Sequence, residues 1–258
     1  MKTIAPCMAA MMLLSGCNGV PTSYVSDPVY SQAFVVTSGA PLPMLLMASA
    51  IQWNEDYAVT AKHTPFLRNV VHEGLGDVVF FKHKASSVPH WRQYVPGEAV
   101  TAVGFNSFMM PMQGKGHALP SLVRLEGTPG SVFYSVHDGP ITKGMSGGPV
   151  FADDGKVVGI NVAIIPTSEI DAGKRPDLAG KDRISVFMSF SEIDKEWRRY
   201  QYLLAHKAKP QAPASVKGYV AVAAKRESGR GIGWKAAYDV RLMASSRVNP
   251  LPQGLHRI

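Results

Sequence analysis

The sequence predicts an all-β fold with one helix near the end of its folded part. Three observations point there. The 24 glycines and 19 prolines of the 258 residues punctuate the chain frequently. The apolar runs between them are short and rich in Val, Ile, Phe and Tyr, as turn-bounded strands are. The stretch 192–206 carries apolar residues at helical spacing, with Ile193, Trp197, Tyr200 and Leu204 on one face.

In chain order, residues 1–17 read as an address label: a lysine at position 2, a short apolar run, then Leu14-Ser15-Gly16-Cys17. The run is too short to span a bilayer and suits the apolar core of a signal peptide. Residues 18–31 are polar, carry Pro21 and Pro28, and read as a tether. Strands are expected at 33–37, 47–53 and 57–61, the last two joined by the turn-rich Asn54-Glu55-Asp56. Further strands are expected at 77–81, 96–104, 122–126, 132–136, 149–152, 156–163 and 184–190. Met109, Met110 and Met112 fall in a Gly/Pro-rich stretch that reads as a loop with flexible apolar packing. Beyond position 206 a Pro/Ala linker opens a basic tail, 207–258.

The formal charge of +8 is uneven. From Lys195 onward there are thirteen Lys and Arg against three acidic residues, so the preceding body, with fourteen against sixteen, is near neutral. A basic tail is ordinarily solvated surface; contact with acidic lipid headgroups, surface polymers or nucleic acid is the alternative. The two cysteines are Cys7 and Cys17. With Cys7 in the leader, no disulfide framework or cysteine metal site is expected. The histidines form no H-E-x-x-H pattern, and His83 and His90 have no helical partner, so no metal centre is expected.

The chemistry concentrates at Lys143-Gly-Met-Ser-Gly-Gly-Pro-Val-Phe151. A serine hydroxyl is a poor nucleophile unless a base removes its proton and donors stabilise the oxyanion it creates. Small residues around Ser146 permit a tight turn that aims the amides of Gly144 and Ser146 at one point. The same residues satisfy G-x-S-x-G, but that hydrolase elbow needs a helix after the serine. Here Gly-Gly-Pro and strand-like runs follow.

Three segments together carry a resemblance. Val59-Thr-Ala-Lys-His63-Thr64 resembles the histidine segment of trypsin-like, chymotrypsin-fold serine proteases. Gly76-Asp77-Val-Val-Phe-Phe81 resembles their aspartate segment, and the glycine-rich loop their serine loop. The order His, Asp, Ser is also that of the family. Pro96-Gly-Glu-Ala-Val-Thr-Ala-Val-Gly104 resembles the strand that opens the second barrel in HtrA-like and viral-type members. The resemblance covers residues 32–206 and implies two six-stranded antiparallel β-barrels with a C-terminal helix.

It further implies a serine endopeptidase with His63, Asp77 and Ser146 as triad and Gly144 and Ser146 amides as oxyanion hole. The substrate is a protein or peptide, and no metal or organic cofactor is needed. By spacing, Pro140 falls near the base of the primary pocket, with Asn161, Val162 and Ala163 along its wall and no carboxylate to select Lys or Arg. Only fourteen positions separate His63 from Asp77, so one hairpin of the first barrel is expected to be trimmed. Met145 stands where trypsin has the aspartate that pairs with a newly cut N-terminus, so that mode of activation is not expected. Leu-Ser-Gly-Cys resembles the bacterial lipobox, which implies lipid on Cys17. Asn18 after it resembles lipoproteins carried to the outer membrane. The competing reading is an inactive protease-fold lipoprotein that serves as a binding or scaffold module.

Overall fold

The computed structural model describes residues 19–24, 30–41, 43–166, 176–178 and 180–206. The leader, Cys17 and the basic tail lie outside the described residues. Twelve strands are formed among those described: β1 (Thr22–Ser23), β2 (Ala33–Thr37), β3 (Met47–Gln52), β4 (Tyr57–Thr60), β5 (Val70–Glu73), β6 (Val79–Lys82), β7 (Ala99–Phe105), β8 (Pro111–Val123), β9 (Tyr134–His137), β10 (Pro149–Ala152), β11 (Val157–Pro166) and β12 (Arg183–Ser189). One α-helix, Phe190–Ala205, follows directly from β12.

The second half closes on itself. Its antiparallel order is β8-β7-β10-β11-β12-β9, and β9 pairs back onto β8, giving a six-stranded barrel. The first half pairs as β2-β3-β4-β6-β5. The expected pair of six-stranded barrels is thus one closed barrel and one five-stranded sheet among the described residues. The short span between His63 and Asp77 accounts for part of this, since it holds only β5. The chain from 83 to 98 makes only an isolated bridge, Trp91 to Val157, before entering the second barrel.

Two segments differ from the sequence reading. The Gly/Pro-rich stretch after Met110 is the longest strand, β8, thirteen residues that pair with β7, then β9. Its glycines are required by close approach: a Cβ on Gly114 would lie 1.8 Å from the Pro140 carbonyl oxygen. Within the segment read as a tether, β1 adds to the edge of β8, with Thr22 opposite Gln113 and Ser23 opposite Met112.

Aromatic residues tie the halves to the helix. Trp53 from the first sheet meets Trp91, Phe190 and Trp197, and Trp197 also packs on Phe80 and Tyr57. Such rings combine large buried area with favoured tilted geometries. Of the predicted helix face, Ile193 and Tyr200 are buried and Trp197 joins this cluster, while Leu204 is exposed. Glu196 occupies the buried face unexpectedly, paired with His72 of β5 at 3.3 Å. Burial raises its carboxyl pKa, but the His72 hydrogen bond, the Leu75 amide and Arg199 outweigh that and hold it below the usual range.

Candidate active site

β4 delivers the predicted histidine. Three residues beyond its end, His63 directs Nδ1 at Asp77 Oδ2, 2.6 Å away, and its backbone N–H donates to Asp77 Oδ1 at 2.9 Å. One carboxylate therefore fixes both the ring and the main chain of the same residue. Asp77 sits just before β6, the neighbour of β4 in the sheet, so the short chain connection suffices to bring the pair together. Its own backbone N–H donates to the Tyr134 hydroxyl at 2.9 Å, a tie from the second barrel. Burial, then the Asp77 charge, push the Tyr134 phenol far up, so it stays protonated.

Burial acts to lower the His63 pKa, and it is the largest single influence. The hydrogen bond to Asp77 and that residue's charge act together in the opposite sense and prevail, so the imidazole lies above its ordinary value. With Nδ1–H donated to the carboxylate, neutral His63 carries its lone pair on Nε2. The side chain is half exposed, which leaves that nitrogen accessible.

Ser146 lies in the turn between residues 142 and 148. The Met145 amide donates to the Thr142 carbonyl and the Gly148 amide to the Met145 carbonyl. Among the described residues, the amides of Gly144 and Ser146 have no internal acceptor. Gly147 has φ of +79°, and a Cβ there would lie 2.0 Å from Thr60 Oγ1 and 2.8 Å from the Ala61 nitrogen. Only glycine fits on both counts. The turn is thereby seated on the end of β4, three residues before His63.

Ser49 of β3 joins the two halves at this point. Its amide donates to the Ser146 carbonyl at 2.8 Å, and its hydroxyl donates to the Gly144 carbonyl at 2.7 Å. The same hydroxyl accepts the Phe105 amide at 2.8 Å. Nothing in the local sequence marks this serine, because all three contacts span more than fifty residues. Ser49, Tyr134 and His137 are the site-shaping residues that sequence reasoning missed.

The predicted pocket residues divide. Asn161 is fully buried beneath the serine turn rather than presented along a wall. Its Nδ2 donates to the Gly148 carbonyl at 3.0 Å and its Oδ1 accepts from His137 Nε2 at 3.1 Å. Since that oxygen is an acceptor, His137 carries its proton on Nε2, and its buried Nδ1 meets no geometric hydrogen-bond partner among the described residues. Burial holds the His137 pKa down at about 4, against smaller opposing effects from Asn161, Asp138 and Gly139. Pro140 and Val162 are buried and Ala163 is half-buried. A separate open cleft of about 350 Å³ lies beside the turn, with Thr142 and Lys143 on its margin.

The comparisons with known proteins agree with this architecture. Residues 82–160 match the model of the Trypsin-like peptidase domain. An HtrA-type protease, an AlgW variant solved with a tripeptide, superposes with a TM-score of 0.54 at 16% identity. That match covers 66% of this chain and 60% of the AlgW chain. The chain has the trypsin-like serine protease fold. An inactive form of the Rv3671c protease gives a TM-score of 0.51 at 16% identity, over 70% of this chain and 98% of that one. A serine endoprotease from Yersinia pestis gives 0.50 at 18% identity, over 70% and 67%. No curated protein matches the sequence. Domain match and fold together support a protease at the level of the family.

Two predictions follow from the geometry. Replacing Ser49→Ala strands the Gly144 carbonyl and the Phe105 amide, and is expected to lower unfolding free energy by about 1–3 kcal/mol in urea titrations. For His137, the unfolded chain binds a proton below about pH 6.5 and the folded chain only near 4. Stability is therefore lost as pH falls from about 6.5 to about 4, by about 3 kcal/mol at ~1.36 kcal/mol per unit. Measured across that window, His137→Gln should show a correspondingly shallower fall.

Proposed function

We propose that this protein is a serine endopeptidase in which Ser146, His63 and Asp77 form the catalytic triad. The observation that carries the reading is the His63–Asp77 pair, closed at 2.6 Å and supported by a second bond to the histidine main chain. It stands beside a serine turn seated on the strand end from which His63 comes.

In the proposed reaction Ser146 Oγ attacks a peptide carbonyl while His63 Nε2 takes its proton. Asp77 holds the ring in the Nδ1–H tautomer and stabilises the imidazolium without itself becoming protonated. The amides of Gly144 and Ser146, which have no internal acceptor, receive the developing oxyanion; one such donor is typically worth about 2.7–4 kcal/mol. His63 then returns the proton to the leaving amine, the acyl-enzyme remains on Ser146, and water activated by His63 releases it. With Asn161 engaged beneath the turn, side-chain selection is assigned to Pro140, Val162 and Ala163, which are all uncharged. The substrate class follows as polypeptide with an uncharged side chain at the cleavage site.

The cellular setting belongs to the same proposal. The Leu14-Ser15-Gly16-Cys17 sequence supports acylation of Cys17 and a place in the cell envelope, on the outer membrane, with envelope or extracellular proteins as substrates. The basic tail, 207–258, supports contact with a polyanion at that surface. The scaffold reading has no comparable observation in its favour, because a protein that only binds has no need of the His63–Asp77 pair.

Turnover of a peptide library by the purified protein tests the activity. Asp77→Asn should reduce kcat by about 10⁴ with little change in fold, since it leaves the imidazole in the wrong tautomer. The acid limb of kcat/KM should fall above the ordinary imidazole value of about 6.5, because Asp77 raises the His63 pKa. Stability runs the other way for this pair: its contribution is full below about pH 6.5 and is lost as pH rises through the raised value. A pH profile with its acid limb well below 6.5 would count against His63 as the base.

A further inference from the structure

The hairpin joining β7 to β8 ends in Phe108-Met109-Met110, and these side chains face solvent: Phe108 is 80% exposed, Met109 53% and Met110 49%. The tip is rigid. Asn106 Oδ1 accepts the amides of Phe108 at 2.9 Å and Met110 at 3.0 Å, while the Met109 amide donates to the Asn106 carbonyl and the Asn106 amide to that of Met110. Met109 is held at φ of +61°, a left-handed conformation that glycine or asparagine adopts at lower cost. A soluble hairpin has no reason to place three large apolar side chains on so ordered a turn.

The start of the described chain lies against this tip. β1 pairs with β8 at Met112 and Gln113, and Val20 and Pro21 share the 350 Å³ cleft with Asn106, Ser107 and Phe108. Val20 is itself 72% exposed, which extends the apolar patch to the segment leading back to Cys17. Cys17 is two residues before Gly19, whose carbonyl accepts from Arg183 at 3.2 Å. Two residues of chain reach at most about 7 Å. Both charged residues that line the cleft, Lys143 and Arg183, are basic.

We propose that Val20, Phe108, Met109 and Met110 form a membrane-docking surface that seats on the phospholipid bilayer holding the Cys17 lipid. This rests on the lipid-anchor reading given above. The acyl chains on Cys17 bring Gly19 to within about 7 Å of the residue at the bilayer interface, so the folded body cannot stand away from the surface. Of its faces, the one beside Gly19 carries exposed apolar side chains to enter the headgroup–acyl boundary, with Lys143 beside them for anionic headgroups. Lys143 is on the margin of the same cleft and precedes Gly144, so docking sets the serine turn close to the membrane. The substrates this favours are polypeptide segments lying near the bilayer.

The test uses the full chain, expressed with its leader and reconstituted into vesicles of phosphatidylethanolamine and phosphatidylglycerol. Intact mass of the mature protein reports the anchor separately, as a diacylglyceryl group on Cys17. In that form the Cys17 sulfur is a thioether and Cys7 has left with the leader, so Met110→Cys supplies the one reactive thiol. An environment-sensitive fluorophore at position 110 should show a severalfold rise in emission and a blue shift in vesicles relative to detergent-free buffer after lipase release. The same label on Tyr202→Cys, exposed on the helix, should show neither. An acylated protein whose label at 110 behaves like that at 202 overturns the docking surface and leaves the anchor standing. A mature chain without the lipid mass overturns both. Shielding of position 110 only when another envelope protein is added would assign the patch to a protein partner and overturn the membrane proposal.

Discussion

The seam between the two halves is the constraint on which the site depends. Neither half holds it alone: the histidine and the carboxylate come from the first sheet, the serine turn from the barrel. Gly147 enters the space bounded by Thr60, Ala61 and the Ser49 carbonyl, where any side chain would collide. The Ser49 hydroxyl then holds the Gly144 carbonyl and the Phe105 amide together. Steric exclusion fixes the distance and the hydrogen bonds fix the orientation, so the turn is positioned before any substrate arrives. Preorganisation of this kind lets backbone donors act on a developing charge without reorganising at the moment of reaction.

Two histidines near this seam show how environment assigns a role. His63 feels burial, but a carboxylate contacts both its ring and its backbone, and its pKa rises. At His137 the neutral amide oxygen of Asn161, with Asp138 and Gly139, opposes burial too weakly, so burial prevails and holds the pKa at about 4. The first is fitted to take a proton and the second to refuse one. His137 instead braces Asn161, which ties down the Gly148 and Pro149 carbonyls just after the serine.

Much of the fold was legible because its strands are local patterns. Residues 33–37 and 149–152 form β2 and β10 over the expected spans, and the helix begins two residues before the apolar spacing suggested. β8 was not legible, since its glycines and prolines read as a loop, and Gly114 and Gly116 are explained by the backbone of residues 139 and 140 lying against them. The trimming of the first half was legible in the fourteen-position spacing of His63 and Asp77, a span that holds only β5. In the site, His63, Asp77 and Ser146 stand in short motifs and were named from them. Ser49, Tyr134 and His137 act across long separations in ordinary strand sequence, and Asn161 was assigned by spacing to a wall when its amide is turned inward. Single-residue spacing locates a backbone position but not the direction of its side chain.

The central claim is that the seam produces an activated serine. The most direct measurement is reaction of the folded wild-type protein with a fluorophosphonate, followed by mass mapping of the adduct, beside His63→Ala. The account predicts one phosphonyl group, on Ser146, formed rapidly in the wild type and not in the variant. A folded wild type that remains unmodified, or one modified equally fast without His63, would contradict it.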